Sequence, residues 1–83
     1  MGPRMPHYFF LWDGENDRHL AEHGVTRDEF AEVVCRPARI DKSRSTGRPI
    51  AFGYTSTGKY VACVYELFDE STVYPITAFE PEE

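Results

Sequence analysis

The stretch K-Y-V-A-C-V-Y-E-L-F, residues 59–68, decides the fold of this chain. Its β-branched and aromatic residues favour a β-strand, in which successive side chains point to opposite faces of the sheet. Apolar side chains then occupy both faces: Val61, Cys63, Tyr65 and Leu67 on one, and Tyr60, Ala62, Val64 and Phe68 on the other. A strand that is apolar on both faces predicts a central position in a sheet covered, or nearly covered, on both sides.

Other strands are predicted on either side of this segment. Residues 38–45 are typical of a polar strand, and residues 50–55 alternate apolar and small or polar side chains. The S-T-G sequence at residues 56–58 suits the hairpin turn that joins residues 50–55 to the central strand. Residues 72–79 form the last strand. Pro75 has no N–H group for a β-ladder, which predicts either an edge position or a β-bulge.

The first part of the chain predicts one short strand and two short helices. An aromatic run at residues 8–12 favours the strand, and Asp13 is suited to cap a first helix that ends at about His23. The sequence T-R-D-E at residues 26–29 is a capping box for a second helix, residues 27–35. The predicted fold class is therefore α+β: a short N-terminal strand, and two short helices packed on one face of an antiparallel sheet of about four strands.

Length and composition predict one compact domain. We expect a flexible leader at residues 1–7, the domain at residues 8–79 and an acidic tail at residues 80–83. No apolar run approaches the ~20 residues that a membrane span requires, and no signal-peptide pattern is present. We therefore expect a cytoplasmic protein with no membrane contact, in which Cys35 and Cys63 are reduced thiols.

The charges are segregated along the sequence. The formal net charge is −5, yet residues 33–60 carry six basic side chains against Asp41 alone. Residues 13–32 hold seven acidic side chains, and residues 61–83 hold six acidic side chains and no basic one. The basic middle could contact phosphate groups, or it could be an ordinary solvated face. The overall acidity argues against strong non-specific binding of nucleic acid.

Residues 19–23, H-L-A-E-H, match the signature of the inverted zinc proteases. The two histidines are one helical turn apart, close enough to share a metal ion. A catalytic zinc site also needs a third protein ligand and an open position for water. The first helix ends directly after His23, no helix is predicted after Cys35, and the two cysteines lack C-x-x-C spacing. We therefore expect no metal site.

The same helix carries polar residues on the side that should face the core, namely Asn16, His19 and His23 beside Leu20. One interpretation is that these side chains form hydrogen bonds with strand ends or with the neighbouring helix, since buried polar groups need partners. The other is that they line a cleft between helix and sheet, where a histidine can exchange protons near neutral pH. The sequence leaves both interpretations open.

Two ordered sets of residues resemble the BrnT family of bacterial toxins. The first is Trp12, Asp13, Asn16, His19, Leu20, His23, Gly24 and Val25; the second is Asp41, Arg44, Gly47, Arg48, Ile50, Gly53, Thr55, Gly58, Lys59, Val64 and Tyr65. The resemblance covers about residues 9–79. It implies a RelE/ParE-like fold, metal-independent cleavage of RNA in a bacterial cytoplasm, and neutralisation by an antitoxin protein.

RNA cleavage needs a base for the 2′-hydroxyl proton, an acid for the leaving 5′-oxygen, and cations for the charged phosphorane. We expect His23 as base or acid with His19 as its partner, and no cofactor. Arg44 and Arg48 are the expected phosphate clamps, since Arg suits bidentate phosphate contacts. Further RNA contacts are expected from Arg39, Lys42, Tyr54 and Lys59. The alternatives are that Arg44, Arg48 and Lys59 are solvated, and that Tyr54 is a core aromatic.

The end of the chain departs from the family pattern. Better established toxins of the family close with a strand that reads roughly R-I-I-S-A-R and then a basic helix. Here Phe79 stands where the last Arg is expected, E-P-E-E follows at residues 80–83, and Glu22 replaces a frequent Lys. A second hypothesis is therefore a catalytically silent relative that acts as a protein-binding module. A partner strand could pair with the strand around Pro75, or with the edge left by residues 38–45.

Overall fold

Two helices lie against a five-stranded sheet in the computed structural model, which describes residues 8–81. The elements are β1 (Phe9–Phe10), α1 (Gly14–Glu22), α2 (Arg27–Cys35), β2 (Arg39–Lys42), β3 (Pro49–Tyr54), β4 (Tyr60–Leu67) and β5 (Thr72–Phe79). The strand order is β1-β5-β4-β3-β2, so β4 is central, as its sequence predicts. The expected leader and the last two residues of the expected tail lie outside the described residues.

The α+β class is confirmed, but the predicted sheet of about four antiparallel strands differs from the structure. Strands β2 to β5 are antiparallel, whereas β1 is a fifth strand that runs parallel to β5. The Phe9 N–H donates to the Ser71 carbonyl at 2.7 Å, and the Leu11 N–H donates to the Val73 carbonyl at 2.9 Å. Strand propensity does not encode the neighbour of a two-residue strand, which is why the sequence did not predict this pairing.

Both helices begin at capping boxes. Asp13 accepts a hydrogen bond from the Asn16 N–H at 2.9 Å, and the Asn16 side chain accepts one from the Asp13 N–H at 2.8 Å. Thr26 and Glu29 make the corresponding pair at α2, at 3.1 and 3.0 Å. Four otherwise unsatisfied backbone donors thus have partners, and both predicted helix starts are confirmed.

The core lies between the helices and one face of the sheet. Its largest fully buried side chains include Phe30, with Phe10 and Trp12 packed edge-on against its ring at centroid distances of 6.2 and 5.6 Å. Gly53 allows α2 to approach β3, because a Cβ atom there would lie 3.4 Å from backbone atoms of residues 36 and 38. The core is completed by Leu20, Val25, Val33, Val34, Ala51, Val61, Cys63, Tyr65, Val73 and Ala78.

Strand β5 contains the β-bulge that Pro75 predicts. Val64 pairs with Thr77 and Tyr65 pairs with Pro75, so Ile76 is the extra residue. Pro75 is not on an edge strand in the sheet order, but β1 pairs with β5 only at its first two residues. Beyond them, α1 packs against β5. The proline and the bulge therefore lie where β5 has a strand on one side and a helix on the other.

The aromatic centre of the core gives a test of the fold. Phe30→Ala is expected to lower the free energy of unfolding by about 3–5 kcal/mol, since it removes a fully buried ring and leaves a cavity. Phe9→Ala is the matched control, because that ring is 73% exposed. Urea unfolding followed by circular dichroism measures both. A Phe30→Ala loss no larger than that of Phe9→Ala would contradict this packing.

Candidate functional site

The face of the sheet that points away from both helices carries a row of aromatic and basic side chains. Cross-strand partners lie on the same face, so the register defines its members. We call this surface the open face; it consists of Arg39, Asp41, Ile50, Phe52, Tyr54, Tyr60, Ala62, Val64, Glu66, Tyr74, Thr77 and Phe79. The helices contact the opposite face, where the Cys63 thiol lies 4.0 Å from the Phe30 carbonyl.

Three aromatic rings form a platform at one end of the open face. Tyr54 and Tyr60 have ring centroids 4.8 Å apart, and Phe52 stacks on Tyr60 at 6.4 Å. The Arg39 guanidinium lies 4.2 Å above the Phe52 ring, a cation–π contact. Tyr54 is 66% exposed, so the alternative that it is a core aromatic is wrong. Exposed ring faces beside an arginine can stack on planar groups such as nucleobases.

The hairpin between β2 and β3 supplies cations at the end of the open face opposite the aromatic platform. The Arg44 side chain and the Lys42 amine make no hydrogen bond or ion pair with any residue from 8 to 81. Arg48 lies at the edge of the open face, with its Nε atom 3.8 Å from a Glu66 carboxylate oxygen. That Nε atom is buried and has no hydrogen-bond partner in the described part of the chain.

His19 is held by the bulge of β5. Its Nδ1 atom lies 3.1 Å from the Ile76 carbonyl oxygen, and because a carbonyl can only accept, Nδ1 carries the proton. Nε2 of the neutral ring then keeps its lone pair. The ring lines a cleft of about 140 Å³ between α1 and β5, together with Glu15, Asn16, Tyr74, Pro75 and Ile76. Asn16 is likewise bonded, to the Leu11 carbonyl at 2.9 Å. His19 therefore agrees with both interpretations from the sequence, since its ring is hydrogen-bonded to a strand and also lines a cleft between helix and sheet.

The structure does not bring His23 and Arg44 together. His23 is exposed at the end of α1, and Gly24 beside it is bonded to Lys59 at the start of β4. Arg44 lies in the hairpin at the opposite end of the strands. Three strand spacings also separate β5, which α1 contacts, from β2, a distance of roughly 14 Å. Sequence spacing cannot reveal this separation, because it depends on strand order.

Lys59 is engaged inside the fold. Its amine donates to the Gly24 carbonyl at 2.7 Å and to Glu29 at 3.3 Å. Glu29 is only 4% exposed, and Thr57 donates to its other carboxylate oxygen at 2.6 Å. The hydroxyl of Thr57, followed by the Thr26 N–H, holds the pKa of Glu29 below its ordinary value. Lys59 therefore joins the helix layer to β4, while 35% of its side chain remains exposed.

Sequence reasoning missed two residues of the open face. Glu66 lies in β4 opposite Tyr74 of β5. The Tyr74 hydroxyl donates to Asp13 at 2.9 Å, which raises the pKa of the phenol, and its ring stacks on Phe68 at 5.5 Å. The sequence does contain a signal for Glu66: a carboxylate within an otherwise apolar strand indicates a residue with a specific partner or role. The contact of Glu66 with Arg48 could not be deduced from the sequence, because it depends on the register of β3 and β4.

A larger cleft, of about 380 Å³, lies between the end of α2 and the β3–β4 hairpin. It is lined by Glu32, Cys35, Arg36, Tyr54, Thr55 and Ser56. The Glu32 carboxylate accepts a hydrogen bond from the Ser56 N–H at 3.1 Å and so fixes the hairpin to the helix. Burial raises the pKa of the Cys35 thiol, which disfavours a reactive thiolate. This cleft adjoins the aromatic platform through Tyr54.

Within residues 8–81, no three His, Cys, Asp or Glu side chains are grouped so that they could hold a metal ion. Nor does any helix in that part of the chain have the length and apolar character to cross a membrane. Comparisons with models of protein families, with curated proteins and with solved structures found no match.

The buried Glu29 predicts a pH dependence of stability. Its folded pKa is below the ordinary value of 4.5, so its stabilising contribution is present above that value and is lost as the pH falls through the folded pKa. At pH 7, Glu29→Gln is expected to cost about 1 kcal/mol or more, because the Lys59 and Thr57 donors lose a charged partner. Urea unfolding of both proteins from pH 7 to pH 3 should show the difference shrinking in acid; a constant difference would contradict this role.

The bond to Ile76 predicts one tautomer for His19. Two-bond ¹H–¹⁵N correlation spectra above neutral pH should show the proton of this ring on Nδ1, because only that tautomer can donate to the carbonyl. His23 is the internal reference, since its ring is exposed and has no hydrogen-bond partner among the described residues. An Nε2-protonated His19 would show that the bond to the bulge does not form in solution.

Proposed function

We propose that this chain is a BrnT-like toxin-type endoribonuclease with a RelE/ParE-like fold, and that it binds single-stranded RNA across the open face. The observation that carries the proposal is the combination of three aromatic rings with basic side chains along one uncovered face of the sheet. Metal-independent cleavage and neutralisation by an antitoxin are what the resemblance to BrnT toxins adds. The order of two helices before a run of antiparallel strands supports that resemblance.

The aromatic platform favours single-stranded RNA over a duplex. Bases that are not paired can stack on exposed rings, whereas the bases of a duplex are already stacked on each other. Of the three rings of the platform, that of Tyr54 is the most exposed, and Phe52 already holds the Arg39 guanidinium over its face. Sheets that present aromatic side chains to two or three bases are a recurring means of RNA recognition.

The charge distribution supports one path for the RNA backbone. Lys42 and Arg44 have no acidic partner within residues 8–81, so their charges are available to phosphate groups. The helix layer is unsuitable, since residues 13–32 carry seven acidic side chains and would repel a polyanion. RNA would therefore enter from the side of the β2–β3 hairpin and extend along the open face toward Tyr54.

A second candidate is the catalytically silent protein-binding module. The observation that favours it is β2, whose four residues are all exposed and whose outer edge has no strand partner in the described sheet. A partner could add a strand there. The corresponding edge near Pro75 is less suitable, because α1 packs against β5 beyond the short pairing with β1.

Binding of a fluorescein-labelled, 12-nucleotide single-stranded RNA, measured by anisotropy, tests the proposal. Each phosphate contact should contribute a slope of about −0.7 to the dependence of log K on log salt. A Lys42→Ala, Arg44→Ala double variant is expected to lower that slope by about 1.4 in magnitude. Tyr54→Ala is expected to weaken binding by about 5- to 100-fold, since stacking contributes ~1–3 kcal/mol per base.

Arg18→Ala is the matched control, since Arg18 is exposed on α1 and makes no hydrogen bond or ion pair with residues 8–81. This variant should bind RNA like the wild type. Equal weakening by Arg18→Ala and by the double variant would indicate charge attraction without a defined surface. A wild-type protein that does not bind RNA at low salt would favour the protein-binding module.

A further inference from the structure

The open face contains an arginine and a carboxylate that are close but not hydrogen-bonded. The Arg48 Nε atom and the Glu66 carboxylate oxygen are 3.8 Å apart, which is within range of charge attraction and beyond a hydrogen bond. By contrast, the Arg27 guanidinium makes two hydrogen bonds to the Asp17 carboxylate on the helix layer. Because the Arg48 Nε atom is itself buried, the Nη donors of Arg48 and the lone pairs of Glu66 are the groups that remain without a partner among the described residues and can meet a third group.

Both side chains stand on ordered backbone. Glu66 is in the central strand, paired on one side with Tyr74 of β5. Arg48 precedes β3, where its carbonyl accepts from the Ser43 N–H at 2.8 Å and its N–H donates to the Thr46 hydroxyl at 3.3 Å. The two charges are thus positioned by the sheet and by the hairpin, which limits the reorganisation needed when a substrate arrives.

From this geometry we infer that Glu66 is the general base and Arg48 the phosphate-binding residue of RNA cleavage. The inference rests on the proposed function and gives it a reacting centre. The Glu66 carboxylate takes the proton of a 2′-hydroxyl, and the 2′-oxygen forms a bond to phosphorus. The bond between phosphorus and the 5′-oxygen breaks with its electron pair on that oxygen, which takes a proton from a water molecule. The resulting hydroxide then removes the proton from Glu66.

The products are a 2′,3′-cyclic phosphate and a 5′-hydroxyl, with no net consumption of water. Arg48 lies beside Glu66, where its guanidinium can donate to the phosphate oxygens as negative charge develops on them. The reacting centre and the aromatic platform share the open face. From Tyr60 to Glu66 the distance along β4 is roughly 20 Å, enough for several nucleotides between the two.

Other candidate bases are less well placed. Asp41, the other carboxylate near an arginine on this face, accepts from the Lys42 N–H at 2.8 Å and lies on the short edge strand. His19 has a lone pair on Nε2, but its cleft is lined by Glu15 and adjoins the α1 cap at Asp13, so a phosphate there would meet negative charge. Glu66 has an arginine beside it, and the nearby Asp13 carboxylate is occupied by the hydrogen bond from the Tyr74 hydroxyl.

The test compares cleavage and binding of the same RNA by the wild type, Glu66→Gln, Arg48→Lys and Glu70→Gln. Single-turnover cleavage should fall by about 10²- to 10⁴-fold in Glu66→Gln, while the dissociation constant stays within about threefold. Arg48→Lys should lower the cleavage rate more than the affinity, because lysine lacks the bidentate fork.

Glu70→Gln is the matched control: it removes the same charge from the exposed β4–β5 turn, where Glu70 has no polar partner among the described residues. A strand with one 2′-deoxy nucleotide should bind but resist cleavage at that site.

Cleavage by Glu66→Gln within threefold of the wild type would overturn the assignment of the base. RNA that is bound but stays intact would overturn the reacting centre alone, whereas absence of RNA binding by the wild type would overturn the proposed function itself. Circular dichroism of each variant confirms folding.

Discussion

The structure depends on a mismatch between helix and sheet area. The central strand β4 is apolar on both faces, so both faces need cover. Each helix has nine residues and is about 14 Å long, whereas the five strands side by side form a sheet roughly 19 Å wide. The helices cover one face, and within residues 8–81 no helix remains for the other. The open face therefore uses its own aromatic rings to shield the strand, as Ala62, fully buried between Phe52 and Phe79, shows.

Charge is divided between the same two sides. The helix layer carries most of the acids of the first half of the chain, and one of them, Glu29, is buried and tied to Lys59. This contact uses one of the six cations of residues 33–60. The cations of the β2–β3 hairpin have no such partner in the described structure, apart from the distant pairing of Arg48 with Glu66. An overall acidic protein can thus present a basic margin to a polyanion, because most acids of the first half of the chain belong to the helix layer.

Local physics made much of the fold predictable. Residues 27–35 were recognised as a helix because its capping box and its stop at Pro37 are encoded within a few residues. The missing N–H of Pro75 predicts an edge position or a bulge, and the structure shows the bulge. The parallel pairing of β1, the hydrogen bond of His19 to the bulge and the contact between Arg48 and Glu66 all join residues far apart in sequence. Periodicity carries no information about such register, so the sequence alone cannot show which of the candidate site residues are neighbours.

Some side chains of the open face both pack in the sheet and are proposed to contact RNA, and this determines which of them can report on binding. Phe52 stacks on Tyr60 and helps to bury Ala62, so its removal would disturb both the sheet and any ligand contact. Tyr54 stands at the end of β3, next to the hairpin turn, and most of its ring faces solvent. Its loss should therefore leave the core intact. Since the fold needs Phe52 whether or not the protein binds RNA, the exposed ring of Tyr54 is the better reporter of a ligand on the open face.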